Sequence, residues 1–229
     1  MTRQLPLAMS LRPEVTLEEF VAGSNRQLLQ ALNQLATGSE DGQIFLSGPV
    51  GSAKSHLLMG SVKLVQQQGR SCAYLPFSEL MALSPEVLEG MEQYSLLAFD
   101  DVHLAARDAN WEKALFRLFN QARETGASLL FAADRGPASL ELHLPDLRSR
   151  LAWGSSYRLQ PLDDRGREEL LLRQAQKRGL RMKPRAAAWM VAHCSRDPRE
   201  LLRLLERLDT ASLAAHRQLT LPFVRELLG

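Results

Sequence analysis

The segment QIFLSGPVGSAKSH, residues 43–56, constrains this chain more than any other stretch. "QIFLS" reads as a short buried strand. Gly48 and Gly51 then permit a tight loop, and Lys54-Ser55 open a helix. Strand, glycine-rich loop and helix in that order match the phosphate-binding pattern G-x-x-x-x-G-K-[ST] at every position but one, where Ala53 stands in place of the second glycine. In such a loop, successive backbone N–H groups and a helix N-terminus converge on phosphate while a lysine neutralises charge. Lys54 is the residue to reach the β- and γ-phosphates, and Ser55 the one to ligate Mg²⁺. An added methyl is harmful only where φ is positive or phosphate lies against it. At the loop–helix junction a helical φ is expected for Ala53, and alanine then fits.

A second motif supports the first. "SLLAFDD" (95–101) ends an apolar run in two aspartates, so carboxylates lie at the C-terminal end of a buried strand, where α/β sheets bind ligands. Asp100 is the candidate to hold Mg²⁺ through water, and Asp101 to orient an attacking water. Further strands are expected at 71–77, 128–133 and 156–160. Between them lie helices at 54–69 and 110–126, the latter capped by Asn110 and stopped by Gly126. Residues 17–36 read as two helical pieces broken at Ala22-Gly23-Ser24, with Ser24 or Asn25 able to cap the second. Strands alternating with helices argue for a parallel sheet. After Pro161 only helices are expected, at 163–179, 184–194, 197–216 and 220–228. The expected division is therefore an α/β nucleotide-binding base, 16–161, and a helical lid, 162–229, preceded by an N-terminal peptide, 1–15.

At 229 residues the chain is long enough to bury roughly 70% of its unfolded surface. Its two cysteines, Cys72 and Cys194, form no C-x-x-C pair, and no apolar run has the length of a membrane span. A reduced, cytoplasmic location with no membrane partner is expected. Net charge is +2, but residues 162–229 hold 14 Lys/Arg against 9 Asp/Glu. That bias suits either a solvated helical face or an acidic partner or nucleic acid.

Other residues are weaker signals on their own. Asp134 ends the fourth strand and either senses the γ-phosphate or opens the turn before Gly136-Pro137. Arg148 and Arg150 lie on "LPDLRSRLAWG", where spacing alone favours surface arginines. Arg199 lies in the first turn of a helix whose start is marked by Asp197-Pro198.

Taken together, "FVAGSN", "GPVGSAKSH", "LLAFDDVH", "AADRGP", "LRSRLAWG" and "DPRELLRLLERLD" resemble the AAA+ module of the bacterial initiator DnaA over about residues 16–229. With no N-terminal interaction domain and no helix-turn-helix domain after the lid, the sequence is similar to the Hda family of regulatory inactivators of DnaA. The resemblance implies a P-loop AAA+ fold with a five-stranded parallel sheet followed by an all-helical lid. It also implies bound ADP or ATP with Mg²⁺, held by the loop Gly48, Pro49, Val50, Gly51, Ser52, Ala53, Lys54, Ser55 and His56. Val21, Gly23 and Asn25 would lie near the adenine, Asp134 would be the first sensor and Arg199 the lid sensor. Arg150 would be an arginine finger acting in trans. "QLPLAM" is similar to the family's sliding-clamp peptide, with Gln4, Leu5 and Leu7 as anchors. The implied partners are DnaA, the DNA polymerase III sliding clamp on DNA, and further copies of the chain, with no sequence-specific reading of duplex DNA.

The implied role is negative control of replication initiation through ATP hydrolysis by DnaA, with slow or absent turnover of the chain's own. A self-contained ATPase such as a DnaC-type helicase loader is the first alternative. A single-strand DNA-binding module using the basic lid is the second, and against it stand few aromatics that are not interleaved with the cations.

Overall fold

The computed structural model describes residues 15–38, 42–215 and 217–229. Gln4, Leu5 and Leu7 lie outside the described residues. The chain divides into two compact units, residues 25–160 with the preceding segment up to Phe20, and residues 161–229 with Val21–Ser24.

The first unit is built on five parallel strands: β1 (Gln43–Ser47), β2 (Cys72–Pro76), β3 (Leu96–Asp100), β4 (Ser128–Ala133) and β5 (Ser155–Arg158). Their order is β2-β3-β4-β1-β5. Every residue of β1, β3 and β4 is buried, as expected for central strands covered on both faces. Side chains alternate between two cores. On one face Phe45, Phe99 and Phe131 stack in a row, with ring centroids 5.0 and 6.3 Å apart. Leu115, Leu118 and Phe119 of α4 (Ala109–Thr125) cover that row. On the other face Ile44, Leu46, Ala98 and Leu130 meet α1 (Arg26–Thr37) and α2 (Lys54–Gln67). A short α3 (Phe77–Leu80) follows β2, and α5 (Pro145–Leu151) precedes β5.

The second unit holds α6 (Asp164–Lys177), α7 (Pro184–His193), α8 (Pro198–Ala215) and α9 (Leu221–Leu228). Leu171, Met190, Leu201, Leu205, Leu208 and Phe223 form its core. The only strand-like feature described there is a parallel bridge between Met182 and Leu219. Among the described residues no helix is long and apolar enough to cross a membrane.

Three local expectations are corrected. Residues 17–20 form a turn, closed by Phe20 N–H donating to Leu17 O at 3.2 Å, and not a helical piece. The segment is too short to propagate a helix, and Leu17 is buried instead. Asp108 caps α4 in place of Asn110, its carboxylate accepting from the Asn110 and Trp111 N–H groups at 2.9 and 3.2 Å. Asn25 stands at the N-cap position of α1 without a side-chain cap bond. Its amide instead donates to Gln160 O at 3.0 Å and accepts from Gln160 N at 2.8 Å, joining the start of α1 to the end of the sheet.

Candidate functional site

The C-terminal ends of β1, β3 and β4 bring together the loop 48–55, Asp100, Asp101 and Asp134. Gly48 N–H donates to Ala133 O at 3.2 Å, so the loop starts against the end of β4. The loop then curls around Lys54, whose ammonium donates to the carbonyls of Gly48 at 2.8 Å and Pro49 at 3.1 Å. Gly51 has φ +84° and the exposed Val50 stands at the tip.

Ala53 does not have the expected helical φ. It is left-handed, at φ +69° and ψ +22°, in the N-cap position of α2. An L-residue there costs about 1–2 kcal/mol, which explains why the phosphate-loop pattern asks for glycine. The loop closes with alanine, at a strain.

The carboxylates differ in their surroundings. Asp100 is buried, and its Oδ2 accepts from the Tyr74 hydroxyl at 2.7 Å. Burial, followed by the Asp100 charge, pushes the Tyr74 hydroxyl pKa up, with the Ser55 side chain acting in the opposite direction. Ser55 begins α2 just past the loop, and Asp100 ends β3. Two hard oxygen donors beside a phosphate loop fit Mg²⁺, which takes few protein ligands and completes its shell with phosphate and water. Tyr74 is a site residue that sequence reasoning missed. A polar-tipped side chain in the middle of the apolar run "CAYLP" was the available signal.

Asp101 is left-handed at φ +52°, and burial, then the neighbouring Asp100 charge, raises its carboxyl pKa. Burial lowers the pKa of Lys54, opposed by the charges of Asp101, Asp100 and Asp134. Asp134 is bidentate to Arg135, at 2.9 and 2.8 Å, and that pairing holds its carboxyl below the usual value. His103 lies 4.0 Å from Asp134 at the same edge.

His56 Nε2 is engaged by Thr16 O at 3.0 Å, a packing use. Val21, which is buried, and Gly23 belong to the second unit. So does Arg199, whose guanidinium is held by Asp197 at 3.0 Å.

Arg148 and Arg150 are distinguished by their surroundings. Arg148 donates to Leu142 O at 2.8 Å, a tie within its own segment. The Arg150 guanidinium makes no hydrogen bond or ion pair among the described residues and lies 6.0 Å from the Phe119 ring. It borders two shallow concavities of about 450 and 480 Å³, the first shared with Phe116 and Trp153. Its backbone is fixed: Gln43 Nε2 donates to Arg150 O at 3.0 Å and Leu151 O at 2.8 Å. Gly154 has φ +82°, and a Cβ there would collide with Gln43 O, so this approach requires glycine. Gln43 begins β1, whereas the Lys54 ammonium lies just past its end. The four residue steps of the strand separate them by about 13 Å. Arg150 and the phosphate loop therefore occupy opposite edges of the sheet.

Residues 11–158 match the family described as the bacterial DnaA ATPase domain, and residues 164–228 match the lid domain of Hda. Domain III of the replication initiation protein DnaA from Thermotoga maritima is similar in structure, with TM-score 0.81 at 20% identity, over 94% of this chain and 96% of that one. AMPPCP-bound DnaA from Aquifex aeolicus gives TM-score 0.77 at 21% identity, over 90% and 68% of the two chains. The RuvB Holliday junction branch migration motor of Thermotoga maritima gives 0.71 at 20%, over 94% and 71%. At these identities the structural likeness is one of fold. With the family match spanning well over half its length, the chain belongs to the bacterial DnaA ATPase-domain family, as a P-loop AAA+ protein with a Hda-type lid.

Proposed function

We propose that this protein is a regulator of replication initiation that supplies an arginine to the active site of a neighbouring ATP-bound DnaA. The single observation that carries this reading is the placement of Arg150. Its backbone is fixed to the start of β1, about a strand's length from the chain's own phosphate loop, and its guanidinium makes no hydrogen bond or ion pair among the described residues. An arginine so placed is useful to a nucleotide on another molecule. Charge develops on the transferring phosphoryl group, and a guanidinium brought there stabilises the transition state.

On this reading the loop 48–55 holds ADP or ATP in the chain itself, with Lys54 neutralising phosphate charge. The AMPPCP bound to the Aquifex aeolicus relative supports an adenine nucleotide. Ser55 and Asp100 would hold Mg²⁺, which when bound screens the phosphate oxygens. Asp101 would orient water in any turnover of the chain's own. Val21, Gly23 and Asn25 at the adenine, Asp134 and Arg199 as sensors, self-association, and Gln4, Leu5 and Leu7 as the tether to the clamp complete the proposal. So does the division into tether, base and lid.

The test is ATP hydrolysis by DnaA in the presence of clamp loaded on DNA. Wild type is expected to stimulate it, and Arg150→Ala to lose the stimulation while keeping its fold and its own nucleotide. A dedicated finger is worth about 10³ to 10⁵ in rate, which sets the upper range of the loss. Arg148→Ala is expected to stimulate like wild type. Stimulation that survives Arg150→Ala, together with rapid ATP turnover by the isolated chain, would favour the helicase-loader reading.

A further inference from the structure

The carboxylates at the sheet edge beside the phosphate loop are held in different ways. Asp134 is paired with the Arg135 guanidinium, which offsets its charge. Asp100 is buried and is held by neutral donors. Its Oδ1 accepts from the Asp101 N–H at 3.0 Å, and its Oδ2 from the Tyr74 hydroxyl at 2.7 Å. A carboxylate held at both oxygens is fixed in plane and direction. Each oxygen still has acceptor capacity beyond these bonds. Because both donors are neutral, the full negative charge remains for a cation.

The strand register explains why a tyrosine can do this. In the parallel pairing of β2 with β3, Tyr74 stands opposite Ala98, and Pro76 opposite Asp100. Ala98 and Asp100 are two residues apart, so they share a face with Tyr74. The tyrosine packs on the core cluster that contains the small Ala98. From there Asp100 is the diagonal neighbour, about 6.6 Å further along the strand. A serine would be too short to span that diagonal. Phenylalanine would fill the same space and leave Asp100 Oδ2 without this donor. Burial, then the Asp100 charge, raises the pKa of the Tyr74 hydroxyl, which therefore keeps its proton and donates it.

We infer that Tyr74 is a positioning residue for Mg²⁺: through its hydrogen bond it orients the Asp100 carboxylate toward a divalent cation at the phosphate loop. The inference rests on the proposed nucleotide site and its Mg²⁺. Such an ion takes few protein oxygens, so the aim of each one matters. Groups behind a metal ligand orient it, and removing one costs about 10- to 100-fold in metal affinity. A cationic side chain in the place of Tyr74 would orient Asp100 equally well and repel the ion. A hydroxyl orients the carboxylate without that repulsion.

The experiment is calorimetric titration of the full chain with ADP, once in excess Mg²⁺ and once in EDTA. The ratio of the two affinities reports the ion. Wild type should bind ADP at least about tenfold more tightly in Mg²⁺, and Tyr74→Phe should lose about tenfold of that gain. Phenylalanine keeps the ring, and a loss of packing alone would weaken ADP binding in both buffers by the same factor. A ratio as high in Tyr74→Phe as in wild type would therefore overturn the inference. Asp100→Asn should lower the ratio as well. The double variant Tyr74→Phe, Asp100→Asn should be no worse than Asp100→Asn alone, because Tyr74 acts through Asp100. Additive losses would also overturn the inference. Equal wild-type affinity in the two buffers would remove Mg²⁺ from the site, and no ADP binding in either would remove the nucleotide site. Both would take the inference with them, and both differ from a wild-type gain that survives Tyr74→Phe.

Discussion

In the α/β unit Lys54, Asp100 and Glu112 are buried charges, each satisfied by backbone or by a neighbouring hydroxyl. In the helical unit, Arg178–Glu206, Arg199–Asp197 and Arg203–Glu200 are exposed pairs on or near helix surfaces. The two units use their charges differently. A buried charge whose partner is removed is left in a medium that cannot solvate it, whereas an exposed one is taken up by water. The difference locates the chemistry: Lys54 and Asp101, perturbed by burial, lie at the sheet edge, whereas Asp197 of the lid is perturbed by an exposed partner.

The comparison can be broken most severely at Glu112. Its carboxylate accepts from the N–H groups of Leu144, His143 and Arg107 at 2.7, 3.0 and 3.1 Å, tying the loop after β3 to the segment that leads into α5. Glu112→Ala orphans these donors and is expected to cost about 3 kcal/mol or more in urea unfolding. A cost under about 1 kcal/mol would mean that burial does not set the base apart from the lid.

Next in size is Lys54→Ala. At an ADP concentration of about 100 Kd the wild type should gain about 2.7 kcal/mol, read as a rise in Tm, and the variant none. Ala53→Gly should act in the opposite direction. Relief of the left-handed strain, about 1–2 kcal/mol, exceeds the added unfolded-state entropy of glycine, about 0.4–1 kcal/mol, so a small net gain in stability is expected. A loss would show that the methyl packs usefully in the loop.

The smallest effect belongs to the lid. Asp197 is held below its usual pKa of 3.8 by the Arg199 side chain, then by the Arg199 N–H. A depressed carboxyl contributes stability that is present above the unfolded pKa and lost as pH falls through the folded one. Asp197→Asn should therefore be slightly less stable than wild type at neutral pH and equal to it in acid below that window. The gap should narrow with salt, because the pair is exposed. A large, salt-insensitive gap would place this pair with the buried charges of the base.

The sheet was legible because its central strands are unbroken apolar runs, and the phosphate loop because glycines and Lys-Ser follow one of them. The conformation of Ala53 was not legible, since the letter argues for a right-handed residue while closure of the loop demands the reverse. Tyr74 was hidden for a different reason. It meets Asp100 only through the pairing of β2 with β3, 26 residues apart. Glu112 lies in a helical pattern where a glutamate reads as solvated, and the loops that bury it come from distant segments. The role of Arg150 stood on resemblance, and what the fold adds is its distance from the loop.

The attachment of Arg150 to Gln43 gives the molecule a direction. β1 bears the phosphate loop at one end and holds the arginine helix at the other, so on the proposed role of Arg150 the strand would have a donating end and a receiving end. A two-fold pair could complete two sites only by setting each arginine against the other copy's loop, and it would then be closed, whereas a head-to-tail contact completes one site and leaves an open end unless a ring closes. A chain that spends its donor edge on a different protein terminates the row at that point, and its own loop is left facing outward with no arginine supplied to it.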